Sequence, residues 1–412
     1  MWYDTGMNSA NDTRSIRNSA RKTVRDVCAI KSGERVLIVT NRSLKNGAAQ
    51  TYEISQAIYD ECREAGAQPV LIVQPEKASL DSADPVVLAA LKTEPDVFFS
   101  VSENKLGKDP EGIANPYIAE DGSKHDHIFD YLLYGKKSMR AVWTPGITLD
   151  MFARTVDIDY DELDGRCREL CARYEGVVSV HVTAPGGTDI TVPVAGRKAL
   201  TDDGSFRTAG SGGNVPAGEV FISPVVGKGS DRTGGENPAD AGAPGGCDMD
   251  APGGSLAGVP GGCSGRIVFD GSMSLNEGDI VIKTPITVEV RGGFAVSVSG
   301  GEEATKLNAT IAAAERSALD MEKVGILSAE QAAVYKRNAR NIGELGIGLN
   351  PAARITGNML EDEKAFGTCH FAIGSNYDGD APSLIHLDGV VRDPVVTFRY
   401  ADGGTYTVDV WR

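Results

Sequence analysis

The stretch that decides the fold opens with Arg35-Val-Leu-Ile-Val-Thr40, passes through a helical pattern from Ala48 to Ala65, and returns to Pro69-Val-Leu-Ile-Val73. A short apolar run, a helix and a second apolar run make the βαβ rhythm of a parallel sheet. Within the helical pattern Ile54, Ala57, Ile58 and Cys62 recur at helical spacing, and Gly66 supplies the stop. The rhythm continues through a strand at Asp96 to Val101, a helix at Asp126 to Gly135 and a strand at Met139 to Trp143, closed by Pro145-Gly146. An α/β domain with a doubly wound parallel sheet is therefore predicted over residues 1–155. Such a sheet invites a nucleotide, but no GxGxxG follows the first strand and no GxxxxGK[ST] occurs anywhere. The domain reads as scaffold.

Downstream the pattern changes. Helical spacing at Ile147 to Arg154 and Tyr160 to Tyr174 gives way to alternation at Val178 to Val182, a Pro185-Gly-Gly turn and a return at Ile190 to Val194, which is a hairpin. Further strands are predicted at Gly265 to Phe269, Asp279 to Ile282, Ile286 to Val290 and Phe294 to Val298, and a helix at Glu302 to Leu319 with an acidic first turn. Residues 156–412 thus form a C-terminal α+β domain. Cys167 and Cys171, one helical turn apart, read as small apolar residues facing a core rather than as a metal or redox pair.

The chain has 412 residues, enough for two or three domains and a sizeable core. With 41 Lys+Arg against 57 Asp+Glu the net charge is −16, and no basic cluster is present to receive a phosphate backbone, so nucleic acid is not an expected partner. The longest apolar runs are far below the ~20 residues of a membrane span, and the polar start Met1-Trp-Tyr-Asp4 carries no apolar h-region, so neither membrane nor export is expected. Seven cysteines, scattered and without a CxxC pair, fit a reducing cytoplasm. Glycine, at 49 residues, is in excess, and residues 228–265 alone hold 12 of them with 4 prolines, including the near-repeats Ala241-Gly-Ala-Pro-Gly-Gly-Cys247 and Ala257-Gly-Val-Pro-Gly-Gly-Cys263. That insertion reads as a long loop, either a flap over a site or inert.

The candidate chemistry lies between Glu344 and Asp388. Glu344 interrupts the apolar, glycine-flanked run Ile342-Gly-Glu-Leu-Gly-Ile-Gly348, where an unpartnered carboxylate is costly. His370 heads His-Phe-Ala-Ile-Gly374, and His386-Leu-Asp388 puts an imidazole and a carboxylate on one strand face. Imidazole nitrogen with carboxylate oxygen is the ligand set of zinc, manganese, cobalt or non-haem iron; a structural ion-pair network is the competing reading. His125 and His127, at a polar helix start, read as solvated surface, and His181 as a lone strand histidine.

Several motifs carry a resemblance: Gly343-Glu-Leu-Gly-Ile-Gly348, Leu360-Glu-Asp-Glu-Lys364, Gly367-Thr-Cys-His-Phe-Ala-Ile-Gly374, Ile385-His-Leu-Asp388 and, upstream, Asn214-Val-Pro-Ala-Gly-Glu-Val-Phe-Ile-Ser-Pro224 and Trp143-Thr-Pro-Gly-Ile-Thr148. In this order they resemble the aminopeptidase T-like metallopeptidases, also called thermophilic or leucyl aminopeptidases, over most of the chain. The resemblance implies a homodimer, and two divalent metal ions (zinc, cobalt or manganese) held by Glu219, Glu344, Glu363, His370, His386 and Asp388, with Glu344 bridging. It also implies Tyr377, seven residues after His370, as catalytic, donating from a phenol of ordinary pKa to the oxyanion. The implied activity is removal of the N-terminal residue from peptides with a free N-terminus, with a metal-bridged hydroxide as nucleophile.

Two other readings stay open. His370, His386 and Asp388 alone make a two-His-one-carboxylate set, as in mononuclear non-haem iron dioxygenases, and ring-cleaving dihydroxypyridine dioxygenases have a fold similar to the aminopeptidase T-like one. Glu219, Glu344 and Glu363 are more acids than a single iron needs. The third reading is a metal-stabilised binding protein without turnover.

Overall fold

The computed structural model describes residues 9–44, 49–76, 81–227, 261–409 and 411. The flap reading of the glycine-rich insertion therefore falls outside the described residues, apart from 261–265. The chain divides into two compact units: Met1–Asp164 with Asp202–Ala217 and Asn350–Ala353, and Gly165–Thr201 with Gly218–Leu349 and Arg354–Arg412.

The first unit is built on the predicted parallel sheet. Its strands are β1 (Arg35–Asn41), β2 (Gln68–Gln74), β3 (Val97–Val101) and β4 (Arg140–Trp143), with the short strand Gly212–Asn214 added beside β4, in the order Gly212–Asn214, β4, β3, β1, β2. All four pairings are parallel. Successive residues Val36, Leu37, Ile38 and Val39 of β1 are all buried, so both faces of the sheet are covered. Leu37, Val39 and Phe98 pack with Val87, Leu91, Leu132, Leu133 and Met139 in one core cluster. The Arg140 guanidinium makes a two-point pair with Glu34, at 3.1 and 2.6 Å.

The helix expected at Asp126 to Gly135 is instead a three-residue helix, Ile128–Asp130, running into a π turn, Tyr131–Gly135, closed by Lys136 N–H to the Tyr131 carbonyl at 2.6 Å. His127 starts it. Its Nδ1 accepts from Phe129 N–H at 3.0 Å and its Nε2 lies 3.1 Å from the Gly107 carbonyl, so this histidine is a buried cap rather than solvated surface.

The second unit contains two seven-stranded sheets that are antiparallel in every pairing assigned within them. One includes the predicted hairpin, Val177–Thr183 with Asp189–Pro193. The other places β5 (Glu219–Ile222), β6 (Ile342–Gly348), β7 (Thr368–Gly374) and β8 (His386–Arg392) side by side in the order β8, β7, β6, β5. Leu345, Ile347, Phe371, Ile373 and Leu387 form its apolar back, and an added Cβ at Gly389 would lie 2.5 Å from the Phe269 ring of the other sheet. The helix Glu302–Lys323 is followed by a helix not expected from periodicity, Ala329–Asn338, which opens on a capping box between Ser328 and Gln331. That Ser-x-x-Gln spacing was its legible signal. No disulfide joins the described cysteines, and no helix among the described residues is long and apolar enough to cross a membrane.

Candidate metal centre

The site is one face of four adjacent strands. Cross-strand partners share a face, and the register puts Glu344 opposite Ala372, Ala372 opposite Asp388, Gly346 opposite His370, Gly374 opposite His386, and Glu219 opposite Gly348. Every acid or histidine in this row therefore has a glycine or alanine as a neighbour, and the small residues leave the space into which the long side chains converge. At Gly346 an added Cβ would lie 2.0 Å from His370 Nε2.

A bulge aims the central acid. Ile342 pairs with Ile373 but Glu344 with Ala372, so Gly343 is the extra residue and Glu344 moves from the apolar side to the His370 side. Only glycine fits there, because a Cβ at Gly343 would meet the Ser375 carbonyl at 2.1 Å.

Glu363 reaches the site from the end of the short helix Met359–Asp362. Its two acidic predecessors are occupied elsewhere: Glu361 accepts from Arg354 N–H at 2.8 Å, and Asp362 from Thr356 N–H, Thr356 Oγ1 and Gly357 N–H at 2.7 to 3.0 Å. All three are drawn into the protein, and of them Glu363 is the one that faces Glu219 and His370.

The six residues form two adjoining groups, Glu219 with Glu363 and His370, and Glu344 with His386 and Asp388, each with its ligand atoms within 4.8 Å of one another. His370 Nε2 joins them, 3.1 Å from Glu344 Oε1 and 3.5 Å from Glu219 Oε2. His386 Nε2 lies 3.1 Å from Glu344 Oε2 and 3.4 Å from Asp388 Oδ1, while its Nδ1 donates to the Ser375 carbonyl at 2.9 Å and so fixes the ring. His125, His127 and His181 are held elsewhere: His125 Nε2 is 3.1 Å from Ser123 Oγ and His181 Nε2 is 2.8 Å from Asp189 Oδ1.

One member was not legible as such. Lys364 is completely buried, with Nζ 3.0 Å from Glu219 Oε1 and in direct contact with Glu363. In sequence a lysine beside three acids reads as a solvated ion pair, and nothing marks it as interior.

The ionisation states follow from crowding. Burial opposes charge on Glu344, but hydrogen bonds from His370 and His386 bring its pKa below the usual carboxylate range. Burial likewise opposes Asp388, and the His386 charge overrides it, to about 2. Burial works against a charge on His370, yet Glu344 raises it to about 9, and Asp388 and Glu344 raise His386 well above its ordinary value. Burial, together with Glu219 and Asp388, lifts Glu363 to about 8 against the pull of Lys364.

Tyr377 sits on the loop after β7, its ring 5.2 Å from that of His386 and 5.0 Å from Phe221. Although 59% of the residue is exposed, desolvation of the phenol and the surrounding carboxylates, Glu344 and Asp388 foremost, raise its pKa well above 10. The phenol stays protonated. Its loop is held by Arg197, which donates to Asp380 at 2.6 Å, and by Tyr377 N–H to Ser223 Oγ at 3.3 Å.

The residues present fit a metal. Glu219 Oε2, Glu344 Oε2, His386 Nε2 and Asp388 Oδ1 are shielded from water, and their polar neighbours are other members of the cluster, at 3.1 to 3.5 Å. Nitrogen and oxygen donors in this state are satisfied by divalent cations, whose identity the donor set leaves among zinc, manganese, cobalt and iron.

No family model matches the sequence, and no curated protein does. The fold, however, is shared with two solved enzymes. The 2,5-dihydroxypyridine dioxygenase of Pseudomonas putida aligns with a TM-score of 0.61 and 15% identity over 98% of this chain and 97% of that one. AmpT, the aminopeptidase T of Thermus thermophilus, aligns with a TM-score of 0.58 and 15% identity over 96% of this chain and 98% of that one.

Proposed function

We propose that this chain, built on a fold shared by an aminopeptidase and a dioxygenase, is a dinuclear metal-dependent aminopeptidase that removes the N-terminal residue of peptides. The observation that carries this reading is the division of the acids and histidines into two adjoining groups. Four carboxylates and two histidines would hold two ions, and Glu344, whose two oxygens face different histidines, would contribute to both. When bound, the ions supply Lewis acidity and water made nucleophilic near neutral pH.

The chain's own residues account for the rest. The Ser375 carbonyl holds the His386 ring so that Nε2 faces the cluster. The Tyr377 hydroxyl, kept protonated by the acids around it, donates a hydrogen bond to the oxygen on which negative charge develops. The Tyr377 loop is tied down by Arg197 and Ser223, so that donor is preorganised.

The test is release of N-terminal amino acids from unblocked and N-acetylated peptides by metal-stripped protein reloaded with zinc, manganese or cobalt. Release from the unblocked peptide alone, lost in His370→Ala, His386→Ala and Glu344→Gln, is expected. A second reading, a mononuclear iron dioxygenase, is favoured by the match to the dihydroxypyridine enzyme. One iron per chain, with oxygen uptake on a dihydroxypyridine and no peptide cleavage, would replace the first reading with the second.

A further inference from the structure

We propose that the buried ammonium of Lys364 is the resident countercharge of the Glu219 and Glu363 carboxylates, and that it makes the His370 group the weaker metal position, filled only after the His386 group. The inference rests on the reading of the cluster as a metal centre and concerns the order in which its halves fill.

Three observations distinguish the halves. Lys364 has no exposed surface, and its Nζ lies 3.0 Å from Glu219 Oε1 and in contact with Glu363. Both acids of the His370 group thus share a fixed positive charge, and a dication brought to them is repelled by it at close range in a poorly screened interior. Among the described residues, no lysine or arginine makes an ion pair with Glu344, His386 or Asp388, whose partners are the histidines of the cluster. The histidines differ in the same sense: His386 is anchored by its hydrogen bond to the Ser375 carbonyl, whereas His370 Nδ1 is buried without a hydrogen-bond partner. A ligand imidazole whose second nitrogen is unsupported holds metal less tightly, by about 10–100-fold.

Lys364 therefore keeps the acid pair neutralised before metal arrives, at the cost of affinity for the second ion. Removing its charge while keeping its bulk, in Lys364→Met, should tighten the weaker position; Lys364→Arg, which keeps the charge, should not.

Calorimetric titration of the metal-stripped full chain with Mn2+ alone tests this. The wild-type chain is expected to show two steps whose affinities differ by about tenfold or more. Lys364→Met should strengthen the weaker step by about tenfold, and Lys364→Arg should leave it weak. Glu363→Gln should weaken or remove only the weaker step, a test that does not need the Lys364 variants to fold. Two equal steps in the wild-type chain, an unchanged weaker step in folded Lys364→Met, or loss of the tighter step in Glu363→Gln would overturn the inference. Absence of any binding step would instead remove the metal-centre reading on which it rests.

Discussion

Replacing Gly346 by alanine is the sharpest perturbation of the site that removes none of its acids or histidines. The added Cβ would sit 2.0 Å from Nε2 and 2.1 Å from Cε1 of His370. Restoring an ordinary carbon contact of about 3.5 Å requires the ring to retreat by roughly 1.5 Å. Gly346 lies in the middle of a sheet, paired to β7, so its backbone has little room to give and the imidazole must move. That displacement breaks the 3.1 Å contact of His370 Nε2 with Glu344 and the 3.5 Å contact with Glu219. Overpacking of this kind costs about 1–3 kcal/mol, and misplacing a ligand by this much weakens its metal position by about 10–100-fold. Titration with Mn2+ should show the loss in the His370 step and a smaller change in the other. In a His370→Ala background the ring is gone, so the stability cost of Gly346→Ala should largely vanish; a double-mutant cycle by denaturant unfolding reads this coupling directly. Unchanged metal affinity in Gly346→Ala, or a stability cost that persists without the His370 ring, would refute the packing argument.

Other expectations follow from the same geometry. Each ion present at a hundred times its Kd stabilises the folded state by about 2.7 kcal/mol. Stripping two ions should thus lower Tm by roughly 10–20 °C for a unit of 150–250 residues; identical calorimetric melts with and without chelator would count against the centre. Arg197→Ala frees the loop of Tyr377 by removing its bond to Asp380, so kcat should fall about tenfold while KM changes less. Partial recovery in Arg197→Lys is expected, and an unaltered kcat in the alanine variant rejects the positioning role. Asp109 accepts from Glu111, Gly112 and Ile128 N–H and from the Tyr117 hydroxyl, so Asp109→Ala should cost about 2–4 kcal/mol at neutral pH. Although burial opposes its charge, these hydrogen bonds hold the Asp109 pKa below the ordinary 3.8. Its contribution is therefore complete above the unfolded value near 3.9 and lost as pH falls through the lower folded value. Urea unfolding at pH 7 and below pH 3 should show the wild-type advantage over the variant shrinking on acidification.

The parallel sheet was legible because its strands are buried on both faces, so β1 appears in the chain as an unbroken apolar run. The helix expected at Asp126 to Gly135 was less so, since spacing does not separate an α turn from the π turn that Tyr131–Gly135 adopts. The site was legible through conflict. Glu344 among glycines and apolar residues, and two histidines in β-like stretches, are out of place unless something holds them. The acids of Leu360-Glu-Asp-Glu-Lys364 were not separable from composition, because what distinguishes Glu363 is that the backbone of 354–357 consumes Glu361 and Asp362.

The sequence by itself determined the α/β class of the first unit, the β-rich second one and the residue types of the centre. Those depend on local pattern, and local pattern is written along the chain. Only the tertiary structure decided which acids face the histidines. The bulge at Gly343 turns Glu344 onto the His370 side, and the register of four strands brings Glu219 within reach of residues more than a hundred positions away. It also decided that Lys364 is interior. A side chain's face in a sheet reverses with a one-residue shift, and that shift is set by contacts between strands rather than by the residues of any one of them.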